Sequence, residues 1–131
     1  MDVLGIGIDA VKVDRFRKAV ESYGEVFLRK IFTGNELSYA DLKKDHSMHM
    51  AGKFAAKEAV KKALPDGARI GLSWADIEIL NQDDGKPYVM LHGEADKIVK
   101  KHGIKKVLVS ISHTRDLATA NAVVVGDDRR A

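Results

Sequence analysis

The sequence predicts an α+β fold, and three observations predict it. Apolar residues recur at helical spacing through much of the first half, turn-rich punctuation separates short apolar runs in the second, and no linker or low-complexity segment interrupts the 131 residues. The expected architecture is an antiparallel sheet packed against one long central helix and shorter helices, in a single domain spanning residues 1–131. A chain of this length removes roughly two-thirds of its unfolded surface from water, enough for a core without staples. It contains no cysteine, which excludes disulfides, thiolate zinc sites and cysteine nucleophiles.

Val3 to Asp9 is apolar and β-compatible, and Gly5 and Gly7 stand where a strand interior normally carries side chains. Another backbone or a ligand is expected to approach closely there. From Val13, the residues Val13, Phe16, Ala19, Val20 and Tyr23 recur at helical spacing up to Gly24, the expected stop. With Val13, Phe16, Val20 and Tyr23 toward the core, Arg15, Arg17 and Lys18 crowd the solvent side. After the apolar stretch Val26 to Phe32, Thr33 and Glu36 are spaced as a capping box for a helix through about Lys44. The longest helical pattern runs from about Ser47 to Leu64, and Pro65-Asp66-Gly67 ends it. At 100° per residue, Ala56, Ala59, Val60, Ala63 and Leu64 share one arc, Lys53, Lys57 and Lys61 a second, and Ala51, Phe54, Ala55, Glu58 and Lys62 a third.

In the second half, Ala75 to Leu80 and Pro87 to Leu91 flank the turn-rich Asn81-Gln82-Asp83-Asp84-Gly85, which predicts a hairpin. Gly93 to His102 reads as a helix that Gly103 closes. Val107, Val109 and Ile111 then alternate with Leu108, Ser110 and Ser112, and beyond His113-Thr114-Arg115-Asp116 the run Leu117 to Val125 is again strand-like. The sheet is expected to come mainly from Ala75 to Val125.

Lys and Arg number 22 against 19 Asp and Glu, a net charge of +3 spread over 31% charged residues. That is a solvated surface rather than a polycation built to neutralise phosphates. Acidic residues at the N-terminus and an early end to the apolar run argue against a secretory signal, and no stretch reaches the length of a membrane span. A cytoplasmic protein is the expectation, without membrane or nucleic acid among its partners. A non-enzymatic, basic RNA-binding module is the alternative class, but only 6% of residues are aromatic and no run interleaves them with Lys or Arg as a stacking platform requires.

Chemistry at these positions starts from two carboxylates. Asp9, ending a glycine-containing strand, and Glu58, inside a helix, are candidate ligands for a hard cation, since Mg²⁺ takes one or two carboxylates and completes its shell with water and phosphate. Spacing alone favours the simpler reading, in which Asp9 caps a turn and Glu58 pairs with Lys62 at i,i+4 for about 0.3 kcal/mol. His113 reads as a hairpin residue. His46 and His49 are three apart, a spacing compatible with metal binding, but no carboxylate pattern supports a zinc site. Gly5-Ile6-Gly7 lacks the third glycine of a dinucleotide fingerprint, and neither a nucleophile-elbow serine nor a Walker loop occurs.

Three separated segments together resemble the holo-acyl-carrier-protein synthases, the small phosphopantetheinyl transferases. Gly5-Ile6-Gly7-Ile8-Asp9 with Val13-Asp14-Arg15-Phe16 is similar to that family's opening motif, Lys53-Phe54-Ala55-Ala56-Lys57-Glu58-Ala59 with Lys62-Ala63 to its central helix motif, and Ser110-Ile111-Ser112-His113 with Ala118 and Ala120 to its closing motif. Trp74-Ala75-Asp76-Ile77-Glu78-Ile79 and Gly85-Lys86-Pro87 fit as well, so the resemblance runs from about Val3 to Gly126. Lys53 stands where many members carry Arg, and Thr114 where many carry an acidic residue.

The resemblance implies the phosphopantetheinyl transferase fold and transfer of the phosphopantetheine arm of coenzyme A to a serine hydroxyl of apo acyl carrier protein, releasing adenosine 3',5'-bisphosphate. The nucleophile then belongs to the partner. It further implies Asp9 and Glu58 as Mg²⁺ ligands and, with Lys62, as the catalytic set, Lys62 facing the diphosphate or the leaving group. Lys53 and His113 would bind the ribose phosphate or the pyrophosphate. The serine proton goes either to a water activated by the metal or to Glu58. Arg15 and Arg17 are expected to meet the acidic carrier, and a homotrimer with clefts shared between neighbours is expected.

Overall fold

The structure is a computed structural model describing residues 1–66 and 71–127. In chain order it contains β1 (Asp2–Lys12), α1 (Val13–Ile31), α2 (Gly34–Ala40), α3 (His46–Ala63), a 3₁₀ turn (Trp74–Asp76), β2 (Ile77–Asn81), β3 (Pro87–Leu91), α4 (Gly93–His102), β4 (Ile104–His113) and β5 (Leu117–Gly126). The α+β expectation holds. The strands, however, form two sheets rather than one drawn mainly from the second half: an antiparallel three-stranded sheet of order β1-β5-β4 and the separate β2-β3 hairpin. Both edges of β5 are taken, one by β1 from the far end of the chain and one by β4.

Side chains alternate along the three-stranded sheet. Its inner face carries Gly5, Gly7 and Asp9 from β1 opposite Val124, Ala122 and Ala120 of β5, which in turn face Val107, Val109 and Ile111 of β4. This face is small because α3 lies on it. A Cβ on Gly5 would stand 2.0 Å from the Ala63 carbonyl oxygen, and one on Gly7 at 2.0 Å from that of Ala59. The glycines are thus required by backbone approach, as the sequence suggested. From α3, Ala55, Ala56, Ala59 and Val60 join Ile77, Ile79 and Ile98 in the core. Each fully buried Val or Ile there contributes about 1.5–3 kcal/mol.

The first helices depart from expectation in three places. Gly24 does not end α1 but kinks it, with φ 64° and ψ −146°, and helical turns resume through Ile31. Tyr23, expected in the core, is 70% exposed, because it sits next to this kink and its ring rests on Phe27 at the surface, centroids 6.1 Å apart. The capping box of α2 has both bonds, Glu36 N–H to Thr33 Oγ1 at 3.3 Å and Thr33 N–H to Glu36 Oε1 at 2.8 Å. That helix stops at Ala40, not near Lys44, since residues 41–46 are exposed and offer no apolar face to bury. The terminator of α3 is seen through Pro65 and Asp66; Gly67 lies outside the described residues.

A buried polar network binds α2, α3 and β2. The Lys57 ammonium, fully buried, pairs with Glu36 Oε1 at 2.7 Å and donates to the carbonyls of Ile77 at 2.6 Å and Trp74 at 3.0 Å. Glu36 Oε2 accepts from Ile79 N–H at 2.9 Å. Nearby, burial pushes the Glu78 carboxyl up, but hydrogen bonds from Thr33, His92 and Asn35 outweigh it and leave it below the usual carboxylate range.

Candidate active site

Two features meet along α3, an acidic edge and a basic pocket. At the edge, the close seating of β1 on α3 brings Asp9 of the strand to Lys62 of the helix, whose Nζ donates to Asp9 Oδ1 at 3.1 Å and to the Ile8 carbonyl at 3.0 Å. Glu58, one turn before Lys62, does not form the i,i+4 pair: its Oε1 accepts from the indole N–H of Trp74. No ion pair joins Glu58 to Lys62 among the described residues. Asp9 Oδ2 and Glu58 Oε2 receive no hydrogen bond from a described residue, so each carboxylate has one oxygen held and one free. No group of three or more metal-ligating side chains occurs among the described residues. Two carboxylates that leave the rest of a coordination shell to phosphate and water suit Mg²⁺ and not a structural metal.

The pocket, about 200 Å³, opens one to two turns earlier on α3 and is lined by Tyr39, Lys43, His49, Lys53, Asn81 and His113. Its cations have no carboxylate among them. Lys53, 1% exposed, has no hydrogen-bond partner, and neither has Nε2 of His49. The Lys43 and Lys53 ammonium groups instead lie 4.7 and 4.8 Å from the Tyr39 ring centroid. Burial pulls Lys53 down from its ordinary 10.5 to about 8. Burial, and then the charges of Lys53, Lys43, His113 and His46, bring His49 to about 4. Buried donors without partners cost free energy until something accepts from them. An anion would supply the acceptor that the Lys53 ammonium lacks.

Of the residues singled out in the sequence, the structure pairs Asp9 with Lys62, places Glu58 one turn before Lys62 on α3, and brings Lys53 and His113 into the pocket. His113 is not a turn residue: it ends β4, opposite Ala118, and its ring lies against α3, where a Cβ on Gly52 would come within 3.9 Å of it. Arg15 is exposed on α1, whereas Arg17 is held by Asp14 at 2.8 Å with Asp45 at 4.0 Å. Periodicity missed Lys43, Tyr39 and the pocket role of His49, and it missed Trp74. A lysine placed among alanines, as Lys53 and Lys57 are, was the available signal that the arc is buried.

Residues 5–122 match the 4'-phosphopantetheinyl transferase superfamily. The chain is 45% identical to the holo-[acyl-carrier-protein] synthase of Protochlamydia amoebophila, over 92% of this chain and 96% of that one. It superposes on the Plasmodium yoelii acyl carrier protein synthase with ADP bound at a TM-score of 0.84, with 35% identity over 97% and 98% of the two chains. On the Helicobacter pylori holo-[acyl-carrier-protein] synthase in complex with coenzyme A the TM-score is 0.79, with 36% identity over 92% and 99%. Motifs, fold and relatives agree: the chain belongs to the 4'-phosphopantetheinyl transferase superfamily, among its holo-acyl-carrier-protein synthases, and is an enzyme.

Proposed function

We propose that this enzyme transfers the 4'-phosphopantetheine arm of coenzyme A to a serine hydroxyl of apo acyl carrier protein, with Mg²⁺ as cofactor and adenosine 3',5'-bisphosphate as the second product. One observation carries the reading: α3 bears both the buried, unpartnered cation Lys53 and the half-free carboxylate Glu58, and the adjoining β1 adds the half-free carboxylate Asp9. Lys53 and Glu58 are separated by five residues, a rise of about 7.5 Å along α3. Coenzyme A carries a phosphate at its 3' position and a diphosphate at its 5' position, one sugar ring apart, and the two features suit these two groups.

In the reaction, Lys53, Lys43 and His113 take the 3'-phosphate, which gives the buried ammonium of Lys53 its missing partner. Asp9 and Glu58 would hold the cation. When bound there, the cation neutralises charge developing on the phosphate oxygens and orients the electrophile. Lys62, half-exposed and tethered to Asp9, places a second positive charge beside the diphosphate as the leaving group departs. The attacking hydroxyl comes from the carrier, and Arg15 on the neighbouring α1 offers the exposed charge that meets an acidic partner.

The outer face of the three-stranded sheet supports the homotrimer. Val3, Ile6 and Ile8 of β1 and Leu108 of β4 project from it, all more than half exposed, with Val123 of β5 between Ile6 and Leu108. Self-association about this face buries it and joins neighbouring clefts. Sedimentation of a fully active monomer would rule the shared clefts out. The family match sets aside the RNA-binding alternative.

Intact-mass spectrometry tests the transfer itself. Apo carrier protein incubated with coenzyme A, Mg²⁺ and enzyme gains one phosphopantetheine, and a chelator prevents the gain. A carrier of unchanged mass at every Mg²⁺ concentration overturns the reading.

A further inference from the structure

We infer that Trp74 is a positioning residue for the transfer: its indole N–H fixes one oxygen of Glu58 so that the other is presented to the cation. The inference rests on the assignment of Glu58 as a metal ligand. Unheld, a glutamate on a helix edge samples many rotamers, and its usual restraint at i,i+4, Lys62, is occupied by Asp9 and the Ile8 carbonyl. The indole supplies the restraint instead.

What holds the indole is the buried network. Trp74 is tied to α3 twice, by its carbonyl oxygen to Lys57 Nζ at 3.0 Å and by its ring nitrogen to Glu58. Lys57 and Glu58 are consecutive, so one residue of the 3₁₀ turn brackets two adjacent side chains that leave the helix in different directions. Lys57 also grips the Ile77 carbonyl at the far end of that turn, and Glu36 fixes Lys57 in turn. The Trp74 ring lies between Phe54, centroids 5.8 Å apart, and the Lys61 ammonium, 5.7 Å from its centroid. Glu36, Lys57, the turn and the indole thus form a rigid bracket from the protein interior to the carboxylate. Groups that orient a metal ligand typically govern about 10- to 100-fold in metal affinity, so the bracket acts on the cation and spares the separate pocket around Lys53.

Trp74 is the chain's only tryptophan. Biosynthetic replacement by 3-benzothienylalanine therefore alters this position alone, keeping the fused-ring shape and removing the N–H. Trp74→Phe is the genetic counterpart. Mn²⁺ binding in the presence of coenzyme A, read by electron paramagnetic resonance, and transfer rate against Mg²⁺ concentration are measured on the wild type and both variants. The expected result is Mn²⁺ affinity and Mg²⁺ half-saturation worsened about 10-fold and a lower kcat, with the KM for coenzyme A within about twofold and the thermal midpoint of the benzothienyl protein unchanged. A working wild type beside a benzothienyl protein of equal Mn²⁺ affinity and Mg²⁺ dependence overturns this inference alone. A wild type that leaves the carrier unmodified overturns the transfer reading and takes the inference with it.

Discussion

Lys53 and Lys57 stand one turn apart on α3, both almost wholly buried, and they have opposite surroundings. Lys57 meets a carboxylate and two carbonyls, all within 3.0 Å. Lys53 meets an aromatic face and no acceptor. Burial lowers both lysines below their ordinary value, and the Glu36 carboxylate opposes the shift at both, by charge and a direct hydrogen bond at Lys57 and by charge alone at Lys53. A buried charge that is fully partnered belongs to the scaffold, whereas one left unpartnered calls for an explanation, which the proposed phosphate ligand supplies. The same residue type on the same helix thus separates structure from function by its hydrogen bonds alone.

Removing the partnered lysine should have the largest effect. Lys57→Met strands the buried Glu36 carboxylate and frees the carbonyls of the 3₁₀ turn, and breaking such a pair costs about 3–5 kcal/mol. For a chain of this size the thermal midpoint should fall by roughly 10–20 °C, as calorimetry would show. A midpoint unchanged within a few degrees would erase the contrast between the two lysines.

The opposite sign is expected at Lys53. A fall from 10.5 to about 8 corresponds to about 3 kcal/mol held against the folded state at neutral pH. Lys53→Met removes that burden while filling similar space, so the ligand-free protein should gain up to about 3 kcal/mol. The same change deletes a charged hydrogen bond to the bound phosphate, worth about 1.5–3 kcal/mol, and the KM for coenzyme A should rise roughly 10- to 100-fold. Stability and activity measured on one preparation decide it: a destabilised variant with unaltered KM would make Lys53 a second Lys57.

These two lysines also mark how far the sequence could be read. The capping box of α2, the β2-β3 hairpin and the α4 cap at Gly103 are local features, and each was legible because its cause lies within a few residues; the glycines of β1 announced a close approach without saying that α3 makes it. The pairing of β1 with β5 across more than 100 residues was not legible, nor was the division of the strands into two sheets. Among the candidate residues, Asp9, Glu58, Lys62, Lys53 and His113 were identified through motif resemblance. Periodicity by itself made Glu58 a partner of Lys62 and His113 a turn residue, since the groups that redefine them, Trp74 and α3, are remote in the chain or act through tertiary packing. Glu36 shows the limit most plainly. Its spacing from Thr33 announced the cap, yet nothing local announced that its carboxylate would also neutralise a lysine 21 residues away.

The smallest effect follows from the titration of Lys53. Its folded value, about 8, lies below its unfolded one, so between about pH 8 and 10.5 the unfolded chain retains a proton that the folded chain has lost. The cost is fully present below pH 8 and is relieved as pH rises through that window, so the ligand-free protein should gain stability from this group on the alkaline side. Binding runs the other way. On the proposed reading adenosine 3',5'-bisphosphate binds the ammonium, so the thermal shift it produces should hold between about pH 7 and 8 and diminish above that by a few degrees. Lys53→Arg sharpens the test, because a guanidinium stays charged throughout this range, and its ligand-induced shift should persist to pH 10. A wild-type shift that persists equally would mean that the pocket's charge resides in Lys43, and that the unpartnered lysine is a packing feature.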